Sequence, residues 1–224
     1  STTFAAEINE LPQLSVNGSA TLFKPADQLS FSIGVYTENA DVEEASKANA
    51  IKMEAVVNAL KQAGLTKDEY QTGSFTVSPV YSRQPKDPPA DWRATVLAYR
   101  VQNELLIKTT QLERSGSLID AINKAGADTI NEIAFSLKEK EAAQNEAIAA
   151  ATANALSNAK TLAESAQLSL KRVIKISLDQ VGPSSPNYRT KMLFGAQGGN
   201  SPSTSIEAGQ IEVNATISVL YEIE

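Results

Sequence analysis

The chain predicts an α+β fold with largely antiparallel sheet, and three features carry that expectation. Apolar residues alternate with polar ones in several separate stretches, most clearly at Ile211, Val213, Ala215, Ile217, Val219, Tyr221 and Ile223. Between such stretches lie helical patterns with start and stop signals. Two of these helices end in similar words, Ala59-Leu60-Lys61-Gln62-Ala63-Gly64 and Ala121-Ile122-Asn123-Lys124-Ala125-Gly126, each ahead of a strand. Strand–helix–strand units in tandem give the order βαββαβ, a ferredoxin-like core with right-handed crossovers. A long alanine-rich helix and further C-terminal strands extend it.

Residues 1–13 read as a flexible arm, polar and unpatterned as far as Leu11-Pro12. Leu14-Ser15-Val16-Asn17-Gly18 predicts a short strand meeting an Asn-Gly turn. Leu29, Phe31, Ile33 and Val35 alternate as a half-buried strand. Asp41 and Glu44 have capping-box spacing, and Ala45, Ala48, Ile51, Ala55, Val56 and Leu60 follow at helical intervals up to Gly64. Phe75, Val77 and Tyr81 mark the next strand, and Pro79 places it at a sheet edge. A proline-broken loop over 82–93 leads to a returning strand with Leu97, Tyr99, Val101, Asn103, Leu105 and Ile107 on one face. Thr110 and Glu113 repeat the capping spacing before a helix through Leu112, Ile119 and Ile122, which Gly126 stops. Ile133, Phe135 and Leu137 alternate as a strand. Residues 139–167 predict the alanine-rich helix, with Ile148, Ala151, Ala155, Leu162 and Ala166 on the face that packs on its own sheet. Strands at Ile174, Ile176 and Leu178, and from Ile211 onward, complete the chain.

At 224 residues, one large domain over 14–224 and two packed lobes, with the N- and C-terminal strands in the same lobe, both fit the length. Hydrophobic residues at 42% suffice for a core, and no stretch approaches the roughly 18 apolar residues of a bilayer span. A net charge of −6 with scattered Lys and Arg offers no basic footprint for nucleic acid. There is no cysteine and no histidine. That removes thiol nucleophiles, Ser-His and Cys-His catalysis, and metal or haem sites that need those ligands. It also suits an oxidising compartment. The chain opens at Ser1 without a methionine or an apolar signal core, as expected of a processed product.

Catalytic patterns are weak. Ser169/Lys171 and Lys175/Ser177 are strand neighbours without a nucleophile elbow, and Asp41/Glu43/Glu44 is charge at a helix start. Gly195-Ala196-Gln197-Gly198-Gly199 lacks the Gly-Lys-Ser/Thr ending and the following helix of a phosphate cradle. The expectation is therefore a non-enzyme with no cofactor. Its interaction residues are sought in two loops: Trp92 in the first, and the apolar island Met192, Leu193 and Phe194 beside Arg189 and Lys191 in the second.

An ordered series of segments resembles the SIMPL-domain family of bacterial envelope proteins. It runs through Ser15-Val16-Asn17-Gly18-Ser19-Ala20, Lys24-Pro25-Ala26-Asp27, Gln71-Thr72-Gly73-Ser74-Phe75 and Pro79-Val80-Tyr81. Tyr99-Arg100-Val101, Ile119-Asp120, Ala125-Gly126-Ala127, Phe135-Ser136-Leu137, Ile206-Glu207-Ala208-Gly209 and Val213-Asn214-Ala215 continue it. The resemblance implies export to the periplasm or outer envelope, a non-enzymatic role, homo-oligomer formation and a link to oxidative-stress tolerance. Two alternatives stay open: a monomeric module that binds a small molecule or glycan, and a serine- or carboxylate-based hydrolase.

Overall fold

In chain order the elements are β1 (Gln13–Pro25), β2 (Gln28–Asn39), α1 (Val42–Gln62), β3 (Tyr70–Tyr81), β4 (Val96–Thr109), α2 (Ser115–Lys124), β5 (Thr129–Ser136), α3 (Lys140–Ala166), β6 (Leu170–Pro183) and β7 (Gln210–Ile223). They come from a computed structural model that describes residues 11–183, 204 and 206–224. The chain divides into a terminal unit, 11–25 with 139–183 and 210–224, and a central unit, 26–138 with 204 and 206–209. The α+β class with antiparallel sheets stands.

The central unit is the βαββαβ core. Its sheet has the order β3-β4-β2-β5 with every neighbour antiparallel. Leu29, Ile33 and Val35 of β2 are wholly buried, as the alternation requires. Asp41 caps α1, its Oδ1 accepting from the Glu43 amide at 2.8 Å and the Glu44 amide at 3.2 Å. The reciprocal bond of a capping box is replaced by Asn39, whose Oδ1 accepts the Asp41 amide at 2.9 Å.

The buried stripe of α1 is Ala45, Asn49, Met53, Val56 and Leu60. Ala48, Ile51 and Ala55, expected on that face, are exposed. A polar Asn49 broke the apolar pattern and shifted the expected stripe. Both similar words close helices in the same way. The Ala63 and Ala125 amides bond back to Ala59 and Ala121, and Gly64 and Gly126 take positive φ of 94° and 98°.

Three further expectations are corrected. Thr110 does not cap a helix. A short 3₁₀ turn over Leu112–Arg114 precedes α2, which lacks a side-chain cap, and Thr109 accepts the Gln111 amide at 3.1 Å instead. In β5 a bulge sets two residues opposite Phe31, with Glu132 at φ 58°. The bulge changes the phase of alternation, so Ile130 and Phe135 face the core while Ile133 is exposed. Finally, Asn17-Gly18 is not a turn, because β1 runs straight through it.

The reason for that last difference lies in the terminal unit, where the sheet order is β1-β7-β6. Alternating residues of β1 and β7, with Val16 opposite Val219 and Gly18 opposite Ile217, face α3. The helix meets them with Ala143, Ala147, Ala151, Ala155, Ala159 and Ala163, an alanine at every fourth position. Leu162, expected on this face, is exposed, since larger residues would hold the helix away. A Cβ at Gly18 would overlap the Ala151 carbonyl and lie 2.7 Å from the Ala155 Cα. Gly18 is thus the point where the helix backbone rests on the strand.

Candidate interaction surfaces

In the central unit α1 lies across β2 and β4 and does not extend over β3. The register sets Phe75 opposite Asn103 and Val77 opposite Val101, so these β3 side chains continue the helix-covered face beyond the helix. They are consequently bare. Phe75, Val77 and Tyr81 of β3, with Val96 and Leu97 of β4, are 41–59% exposed. β3 is the sheet edge that Pro79 predicted.

The hairpin loop above this patch is pinned at its base. The Ser82 amide donates to the Thr95 carbonyl at 2.8 Å, and the Thr95 amide donates to Ser82 Oγ at 2.9 Å. Within the loop Trp92 is half-buried, its amide bonded to the Pro89 carbonyl in a turn. The other sequence-selected contacts, Arg189, Lys191, Met192, Leu193 and Phe194, lie outside the described residues. Near the end of that connection Thr204 is clipped to α2, its hydroxyl donating to Asp120 Oδ1 at 2.6 Å.

The carboxylates of the central unit serve its fold. Burial acts to raise the Glu69 pKa, but the Thr66 amide, Thr109 hydroxyl, Gln111 amide and Thr66 hydroxyl all donate to it and hold it below the ordinary value. Burial likewise acts to raise Asp128. Lys52 at 2.6 Å and the Tyr36 amide at 2.7 Å outweigh it and hold that carboxyl low. Asn49 is the one wholly buried polar side chain of α1, donating from Nδ2 to the Val35 and Val101 carbonyls at 3.1 and 3.2 Å. Its amide ties β2 to β4 beneath the helix.

In the terminal unit a shallow polar recess of about 370 Å³ is lined by Asn17, Gly18, Ser19, Asn154, Asn158 and Thr216. The two helix asparagines are committed, Asn154 donating to the Ser19 carbonyl at 2.7 Å and Asn158 to the Asn17 carbonyl at 2.9 Å. They satisfy the outer edge of β1, which would otherwise be open to pairing.

Among the described residues no hydrogen bond joins Ser169 to Lys171 or Ser177 to Lys175. A hydrogen bond and the charge of Glu224 raise the Lys171 pKa above its ordinary value, the opposite of what a lysine base needs. Among the described residues no group of three or more His, Cys, Asp or Glu could hold a metal ion. Among them also, no helix is long and apolar enough to cross a membrane.

Sequence reasoning missed the opposite edge of this unit. α3 lies mainly over β1 and β7, leaving Val173, Ile174, Ile176 and Leu178 of β6 at 41–55% exposure. The signal was available in Lys171, Arg172 and Lys175 interleaved with those apolar residues, the pattern of a partly solvated edge strand.

Comparison with known proteins agrees with the order of segments. Residues 14–221 match the SIMPL family, described as a protein of unknown function (DUF541). The 26 kDa periplasmic immunogenic protein of Brucella melitensis is 28% identical over 214 residues, covering 95% of this chain and 85% of that protein. An uncharacterized protein of Escherichia coli, YggE, is 22% identical over 223 residues, covering 98% and 88%. The YggE of Edwardsiella ictaluri is 22% identical over 221 residues, covering 98% and 90%.

Proposed function

This chain belongs to the SIMPL family, and from that footing we propose that it is a non-enzymatic envelope protein of the bacterial periplasm that acts through protein–protein contact, its own copies included. The observation that carries the reading is the bare apolar face of the β3–β4 hairpin, Phe75, Val77, Tyr81, Val96 and Leu97. Solvating such a cluster costs free energy that burial in an interface recovers, at about 25 cal/mol per Å² of apolar surface. Trp92 in the adjoining loop, and Met192, Leu193 and Phe194 with Arg189 and Lys191, are assigned to the same class of contact. The periplasmic location is supported by the name of the Brucella relative, a periplasmic immunogenic protein. Tolerance of oxidative stress is the physiological benefit that the family resemblance suggests.

Light scattering on a sizing column, run across a concentration series, tests the contact reading. A discrete multimer of the 23.9 kDa chain, reduced by Phe75→Ser with Leu97→Ser, is the expected result. A monomer at every concentration, with no envelope protein retained by the immobilised chain, would overturn it. A second reading, a small-molecule or glycan module, is favoured only by the polar recess at Asn17 and Asn158. It expects a saturable thermal shift with a saccharide panel that Asn158→Ala abolishes.

A further inference from the structure

The exposed edge of the terminal sheet carries a short sequence that is complementary to itself. β6 pairs with β7 through Lys175↔Leu220, Ile176↔Val219, Ser177↔Ser218 and Leu178↔Ile217. Register shifts bound this run between Val173 and Lys175 and between Leu178 and Gln180. Ile176 and Leu178 therefore lie on the helix side of the sheet, beside Val219 and Ile217. Lys175 and Ser177 lie on the other side with Leu220 and Ser218. The Asp179 carboxylate accepts a hydrogen bond from the Ser218 hydroxyl, which places it on that second side too.

α3 meets the sheet mainly over β1 and β7, and Ile176 and Leu178 are 55% and 50% exposed. β1, at the opposite edge, has carbonyls bonded by Asn154 and Asn158. Among the described residues no side chain of α3 hydrogen-bonds to a β6 carbonyl in that way. An edge strand with free backbone groups and bare apolar side chains is a template for another strand.

We propose that β6 is a homotypic interface, pairing antiparallel with β6 of a second copy about a two-fold axis at Ser177. In that register Lys175 faces Asp179 of the second copy, Ile176 faces Leu178, and Ser177 faces Ser177. Facing residues in an antiparallel pair point to the same side of the sheet, so apolar meets apolar and each lysine meets a carboxylate. Moving the axis to Lys175 would set two lysines against each other. Moving it between residues would set the two sides of the sheet out of phase. The product is a six-stranded sheet, β1-β7-β6 continued by its copy, with both alanine-rich helices on one side. The two-fold uses the β6 edge of both copies, which closes the assembly at a dimer. This interface goes beyond the β3–β4 contact proposed above and rests on the same reading that copies of this chain associate.

A single cysteine makes the test direct, because the chain has no other. Facing Cα atoms in an antiparallel pair lie roughly 4.5–5.5 Å apart, within disulfide reach. Ser177→Cys should convert to a covalent dimer under mild oxidation, and Ser78→Cys on the other bare edge strand should not. Lys175→Asp should raise the dimer dissociation constant about tenfold by replacing attraction with repulsion, and the swap Lys175→Asp with Asp179→Lys should restore it. Circular dichroism unchanged from the parent establishes that each variant is folded. If the parent forms multimers while Ser177→Cys stays uncrosslinked, the β6 interface is wrong and the contact reading survives. A swap no tighter than Lys175→Asp alone rejects the register. A parent that is monomeric at every concentration removes the interface altogether, and the broader reading then depends on other envelope proteins.

Discussion

The two units solve the same problem with different materials. Each lays one helix mainly across two strands of an antiparallel sheet and leaves the apolar side chains of an edge strand bare, β3 in the central unit and β6 in the terminal one. In the central unit the interface is made of large aliphatic groups: Met53, Val56 and Leu60 of α1 against Leu29, Ile33, Leu105 and Ile107. In the terminal unit it is made of small ones, six alanines of α3 against Val16, Gly18, Ala215 and Val219. Large side chains stabilise by the apolar area they remove from water, and small ones by letting backbones approach to dispersion contact. The first kind of interface is sensitive to volume lost. The second is sensitive to volume gained.

The largest expected effects sit on that contrast. Gly18→Val drives two methyl groups into the backbone of α3, which a rotamer change cannot relieve. It should destabilise the terminal unit by about 3 kcal/mol or more, toward the upper end of overpacking costs. Leu60→Ala in the central unit should cost about 3 kcal/mol, since Leu60 is wholly buried and its neighbours close only partly on the cavity. Urea unfolding followed by circular dichroism measures both. A Gly18→Val chain with an unshifted midpoint would show that the helix can ride higher on the sheet, and the close-contact account would fail.

The same contrast explains what could be read beforehand. Alternation in β2, β4 and β7 was legible because large apolar residues stand at every second position, and the βαββαβ order followed from it. Both glycine stops were legible because only a residue without a Cβ closes a helix cheaply at positive φ. Gly18 was not. In sequence, Asn-Gly signals a turn, and only the distant alanine stripe of α3 shows that this glycine makes room for a helix. Asn49 was missed for a related reason. An apolar stripe search passes over an amide, although its nitrogen bonds both the Val35 and Val101 carbonyls, while among the described residues its Oδ1 has no partner. Of the candidate surfaces, Trp92 stands out in the sequence as a lone aromatic in a proline-rich loop. The bare faces of β3 and β6 were not, because exposure there depends on how far a helix reaches sideways.

A smaller effect separates the units by pH. Glu69 and Asp128 both belong to the central unit, and both have pKa values depressed in the folded state below the ordinary 4.5 and 3.8. A depressed carboxyl contributes its full stabilisation above its unfolded pKa and loses it as pH falls through the folded one. The central unit should therefore weaken as pH drops below about 4, and Glu69→Gln should flatten part of that dependence while costing about 1 kcal/mol at pH 7. The terminal unit's Arg172–Glu222 and Lys24–Glu146 pairs are solvent-exposed on at least one side. Exposed pairs of this kind contribute less than about 1 kcal/mol each. Hydrogen exchange at pH 7 and pH 3 would resolve the units, and equal loss of protection in both would remove the distinction.

The smallest expected effect concerns how the two long helices end. α1 begins on the Asp41 cap and closes at Gly64, whereas α3 begins at Glu139 without a side-chain cap and closes on Gln167 at φ 57°. The left-handed conformation costs a residue with a Cβ roughly 1 kcal/mol, partly offset for glycine by the greater freedom of its unfolded chain. Gln167→Gly should thus stabilise the terminal unit by about 0.5 kcal/mol. Asp41→Ala should destabilise the central unit by about 1 kcal/mol, because two α1 amides lose their acceptor. Opposite signs from two helix-end substitutions are what the comparison requires. If Gln167→Gly destabilises instead, the Gln167 side chain contributes more to the turn into β6 than its backbone strain removes, and α3 is better terminated than its dihedral angles imply.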